Sequence, residues 1–168
     1  MRDHVMVRDR TMLVKWHIRL LNLVIDIAVV FIFFILLGLF ATLLTYAGYY
    51  GLYDWVTNMN GLTDRLVTTF VLVAYLFLME NFTQRSVGKF ITGTIVVSER
   101  GGKPSVKAFL TRALCRIIWF ETLSFIADFP RGWHDTASDT YVVDRKKYME
   151  ALQLKNSFDE IGAEQHNY

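Results

Sequence analysis

The chain has 168 residues, about one domain by size, and its single cysteine, Cys115, excludes an internal disulfide and any site that needs two thiolates. Hydrophobic residues make up 53% and aromatics 15%, with a mean hydropathy of +0.29, which excludes an ordinary soluble domain and indicates a membrane protein. A formal net charge of +2 is too small to argue for nucleic acid, so the placement of charge matters more than its sum.

The first apolar segment runs from about Leu20 to Tyr46 and includes an uninterrupted stretch from Leu23 to Leu44 whose one carboxylate is Asp26. A helix of that length is roughly 40 Å long, more than the ~30 Å of a hydrocarbon core, so it is tilted or projects beyond it. The segment is too long and bulky for a cleavable export signal and reads as a retained anchor. Arg19, Asn22 and Asp26 fall at i, i+3 and i+7, on one helix face. A charge at membrane depth is costly and usually faces a partner or a polar cavity. Three roles are open for this stripe. Asp26 pairs with Arg112 or Arg116 of a later segment, or binds an exchanging cation or proton, or the stripe contacts another membrane subunit.

Gly48, Tyr49, Tyr50, Gly51, Tyr53 and Trp55 follow, an aromatic cluster expected at a membrane interface. The second span covers about residues 62–82, with Thr63 expected as its N-cap and Asp64 beside the helix start. Arg65 and Glu80 are expected to reach the two interfaces. Gly88-Lys89 lacks the glycine-rich lead and the Ser/Thr of a phosphate loop, and reads as a turn with a lipid-facing lysine. Arg85, Lys89, Lys103 and Lys107 are candidates for contact with anionic head groups.

A third, basic segment covers about Val106 to Phe129, with Arg112 and Arg116 one turn apart, and Pro130 ends it. It is expected to cross the bilayer, re-enter it, or lie along its surface as an amphipathic helix. Lys and Arg crowd before the first span and after the second, and none occurs from Ala47 to Asp64. The positive-inside tendency then makes the N-terminus and the second loop cytoplasmic. The basic stretch after Pro130 asks for the same side, which a simple third crossing would deny it. Thr94–Val97 and Thr140–Val143 read as two short strands pairing into a cytoplasmic ribbon. Tyr148 to Leu154 is expected to be helical and the last ten residues loose.

His134-Asp135 reads either as a proton-handling pair or as a turn cap beside an anchoring Trp133. No nucleophile with a matching base is evident. His4, His17, His134 and His166 are scattered without ligand spacing, so neither a metal nor a cofactor is expected.

Arg19 and Asp26 in "RLLNLVID", Asp135 in "WHDTASDTYVV", and the stretch "QRSVGKFITGTIVVSERGGKPSVKAFLTRALCRI" between them resemble the RDD family of small membrane proteins over roughly residues 13–145. The acids Glu121 and Asp128 depart from the pattern. The resemblance implies an integral membrane protein of the bacterial cytoplasmic membrane and raises Asp135 to the rank of Arg19 and Asp26. It also implies that some relatives take part in sodium–proton exchange and others in membrane assemblies.

The expected fold is an all-α membrane domain over residues 1–145, with two spans, a third basic helix and a short ribbon, followed by a polar tail over 146–168. The expected function is a non-enzymatic subunit or scaffold of a membrane complex. Its partners are lipid and either other subunits or further copies of itself. The alternative is a homo-oligomeric cation–proton antiporter with Asp26 as its coupling carboxylate.

Overall fold

A computed structural model describes residues 11–99, 101–117 and 133–165, with backbone only at 133–134 and 159–165. Helix α1 (Trp16–Tyr46) has 31 residues and helix α3 (Gly61–Thr83) has 23, and both are long and apolar enough to cross a membrane. Only 11% and 6% of their most apolar windows are buried. The core helix of a soluble domain is covered by protein, whereas these expose Phe31, Leu36, Phe40, Leu43, Leu66 and Phe70. A short helix α2 (Gly51–Thr57) joins them, among exposed Tyr46, Tyr49, Tyr50 and Trp55.

The start of α3 differs from the sequence expectation. Asn60, not Thr63, is the N-cap, and its Oδ1 accepts from the Thr63 backbone N–H at 2.8 Å and from the Thr63 hydroxyl at 3.0 Å. Asp64 does lie in the first turn, where a carboxylate suits the positive end of the helix. At the other end Gln84 adopts a left-handed conformation and turns the chain into α4 (Val87–Thr92), which Ser86 caps and Gly93 ends.

Strand β1 (Thr94–Ser98) pairs antiparallel with β2 (Thr140–Asp144), with Thr94 opposite Asp144 and Ser98 opposite Thr140. Val97, Tyr141 and Val143 pack with Tyr148 on one face of the ribbon, and Val96 and Val142 pack with Val14 and Phe109 on the other. Burial on both faces explains why the strands read as β-branched runs rather than as an alternating pattern. Between them lie α5 (Val106–Cys115), capped by Ser105, and α6 (Trp133–Ala137). Helix α5 occupies the first part of the expected third segment. Residues 118–132, with Glu121, Asp128 and Pro130, lie outside the described residues.

Backbone bonds gather four chain passages at one end of the molecule. Val14 donates to the Val142 carbonyl at 3.3 Å, Leu13 bridges to Val143, and Val96 donates to the Gln84 carbonyl at 3.0 Å. The start of α1, the end of α3 and the ribbon therefore share that end, and α2 marks the opposite one. Helix α7 (Arg145–Gln165) follows β2 directly, longer than the expected Tyr148–Leu154. Asp144 Oδ1 accepts from the Lys146 and Lys147 N–H groups at 2.9 and 3.3 Å and so caps the helix, while buried Tyr148 fixes it to the ribbon. With its start held, a run rich in helix-forming residues continues to Gln165.

Candidate functional site

The polar stripe of α1 points into the protein. Arg19, Asn22 and Asp26 are 5%, 4% and 0% exposed, while their apolar neighbours on α1 face outward. The stripe faces α4, and the approach is close: a Cβ on Gly88 would stand 2.4 Å from the Asn22 carbonyl oxygen. Only glycine allows that contact.

Asp26 sits against the start of α4. It accepts from the Ser86 hydroxyl at 2.6 Å, the Gly88 N–H at 2.9 Å and the Tyr75 hydroxyl at 2.9 Å. Its charge thus meets the positive end of a helix and three neutral donors. Tyr75 also accepts from the Val87 N–H at 3.1 Å, and so links α3 to the same turn. One turn earlier on α1, Asn22 donates to the Thr94 hydroxyl at 3.1 Å and accepts from Thr92 at 2.6 Å. Asn22 thereby ties α1 to α4 and β1.

A second group lies beside it. Asp135 of α6 accepts from both Arg19 and Arg112, one on each carboxylate oxygen. Arg112 Nε reaches Glu80 Oε2 at 3.0 Å, Lys89 Nζ reaches Glu80 Oε1 at 2.7 Å, and Arg116 approaches the same carboxylate at 3.7 Å. Glu80, Lys89, Arg112 and Asp135 are each 2% exposed or less. Burial pushes the Lys89 ammonium below its usual pKa, and the adjacent Glu80 carboxylate opposes that push. The cluster draws on α1, α3, α4, α5 and α6, and it sets four cations, Arg19, Lys89, Arg112 and Arg116, around two carboxylates, Glu80 and Asp135.

The geometry corrects several expectations. Among the described residues Asp26 pairs with neither Arg112 nor Arg116; those guanidiniums go to Glu80, and Arg112 also to Asp135. The reason is local, since Ser86 and Gly88 at the start of α4 already satisfy Asp26. Glu80 does not reach an interface, and Lys89 faces neither lipid nor head groups, because each is the other's buried counter-charge. Asp135 is a bridging counter-ion at the heart of the cluster, while the side chain of His134 lies outside the described residues. Among the described residues no three His, Cys, Asp or Glu side chains group as metal ligands.

Two apolar helices exposed along their length and a buried knot of arginines and aspartates where they end define a membrane protein. A family model described as the RDD family matches residues 13–138, three quarters of the chain. The chain belongs to the RDD family. No curated protein and no solved structure matches it.

Glu80 and Lys89 read from sequence as surface charges, and no spacing marks Tyr75, Ser86, Thr94 or Thr140 as partners of the buried polar groups. The signal available for Glu80 was its place at the end of an apolar helix ahead of a basic residue, a pairing that requires the intervening turn to fold back. Nothing in the spacing specified that fold.

Proposed function

We propose that the protein is a non-enzymatic subunit or scaffold of a complex in the bacterial cytoplasmic membrane, with its arginine–aspartate cluster serving as an internal lock. The observation that carries this reading is that Arg19, Asn22, Asp26, Glu80, Lys89, Arg112 and Asp135 are all buried and bonded to partners within the chain. A coupling carboxylate has to exchange its ligand with solvent, whereas Asp26 is fully buried under three internal donors. The lock leaves the outward faces of α1 and α3 apolar and available to neighbouring helices or lipid.

The test is extraction in a mild detergent and mass determination of the intact complex, for the wild type and for Asp26→Asn. Loss of a charged acceptor beneath three donors costs roughly 1–3 kcal/mol, so the variant is expected to shed stoichiometric partner subunits or to lose yield. A homo-oligomer that exchanges cations for protons in vesicles, and stops doing so in a well-folded Asp26→Asn, would replace the scaffold with the antiporter.

In this reading the ribbon end is cytoplasmic, because Arg85, Lys103 and Lys107 follow α3 there and none of the loop between the spans is basic. Strands β1 and β2 pair at that end, which supports a re-entrant or interfacial reading of the third basic segment over a single crossing. With Cys115 replaced by Ala, Asn58→Cys is expected to react with an impermeant thiol reagent outside intact cells, and Lys103→Cys only after permeabilisation. The reverse pattern would invert the orientation.

A further inference from the structure

The first turn of α7 carries Arg145, Lys146 and Lys147 and no acid. Cations at that end oppose the helix dipole, and the Asp144 cap offsets only part of this. The Arg145 N–H donates to the Gly93 carbonyl at 3.0 Å, which sets this turn against the end of α4. Facing it, Arg85 is held by the Thr94 carbonyl at 3.0 Å and the Lys89 carbonyl at 3.1 Å, with its guanidinium 4.3 Å from the Phe90 ring centre. Desolvation and the neighbouring Arg145 both push Arg85 below its usual pKa, so the two cations repel each other.

Between these elements lies a cavity of about 610 Å³. Three cations line it, Arg85, Arg145 and Lys146, against one carboxylate, Glu150. None of the three cations has an acidic side chain within ion-pair distance among the described residues. Phe90 and Met149 form an apolar side to the cavity, and Phe90 and Ile91 beside it are 45% and 67% exposed. The cavity lies just beyond the end of α3, between the end of α4 and the start of α7.

We infer that this cavity binds a phosphate anion, presented at the membrane interface as the head group of an anionic phospholipid. Two guanidiniums and an ammonium match the several acceptor oxygens of a phosphate, and the volume suits a head group. Apolar Phe90, Ile91 and Met149 would meet the glycerol and upper acyl region. The site lies outside the buried ionic cluster and does not depend on the scaffold reading.

The full-length protein in mild detergent would be titrated with phosphatidylglycerol, with phosphatidylcholine, and separately with inorganic phosphate, and bound molecules counted by intact mass. The wild type is expected to retain phosphatidylglycerol in preference to phosphatidylcholine. Arg145→Gln/Lys146→Gln should weaken that retention roughly tenfold or more, by the usual worth of two juxtamembrane cations. Both residues are exposed and outside the cluster, so the fold should survive. Glu150→Gln should tighten retention, which tests the site without removing a cation. Lys103→Gln/Lys107→Gln, equally basic but elsewhere, should leave it unchanged. Saturable binding of inorganic phosphate without lipid preference would support the phosphate site and assign its ligand to a soluble phosphate compound. Equal lipid retention by the wild type and the Arg145/Lys146 variant, or no binding of either probe, would overturn the proposal.

Discussion

Asp135→Asn is expected to be the most damaging isosteric change in the chain. Asp135 is the shared counter-charge of Arg19 and Arg112, and all three are buried. Removing one member of a buried ion pair leaves a charge with neither water nor partner, at a cost of about 3–5 kcal/mol. Here one substitution exposes two guanidiniums to that penalty, although Arg112 keeps Glu80. Thermal unfolding of the detergent-solubilised protein, followed by size-exclusion chromatography, should give a large loss of folded material. Arg116→Gln is the control, because Arg116 lies 3.7 Å from Glu80 with its side chain 12% exposed and should cost little. Adding Arg19→Met to Asp135→Asn should recover part of the loss, since one of the two buried cations that lose the Asp135 carboxylate is then gone. A variant as stable as the wild type would mean that the cluster does not hold the fold together.

Gly88→Ala is expected to separate α1 from α4. The new methyl would stand 2.4 Å from the Asn22 carbonyl oxygen and 2.9 Å from its Cα. Both atoms belong to the backbone, so no side chain can turn away and a helix has to move. Such overpacking costs about 1–3 kcal/mol or more. The displacement would also stretch the 2.9 Å bond from the Gly88 N–H to Asp26. Gly38→Ala gives the contrast, because its methyl would meet nothing within 4 Å and alanine favours the helix by up to about 1 kcal/mol. The same unfolding assay should therefore separate the two substitutions by several degrees in opposite directions. Equal behaviour would remove the argument for tight α1–α4 contact.

Both predictions follow from one arrangement. Five helices meet at charges that are costly to bury singly and tolerable only when each has its partner. Replacing such a network by apolar residues of equal volume is often neutral or stabilising, whereas removing one partner is costly. The network sets the ribbon against the two long apolar helices of the described residues.

The sequence by itself determined the features that depend on local order. Length and apolarity defined α1 and α3, with ends displaced by a few residues from the expected 20–46 and 62–82. The i, i+3, i+7 spacing put Arg19, Asn22 and Asp26 on one face, and the cost of charge among apolar residues marked that face as inward. The family pattern supplied Asp135, which spacing alone had not ranked. Only the tertiary structure decided which charge meets which. Arg19 finds Asp135 116 positions away, while Asp26 goes to Ser86 and Gly88. Glu80 and Lys89, each read from sequence as an interfacial charge, neutralise each other because Gln84 and Ser86 fold the chain back between them. A buried charge announces that it needs a partner, because desolvation is a property of the residue and its segment. The identity of the partner is a property of distance, and distance between residues far apart in the chain is set by how the helices and the ribbon pack.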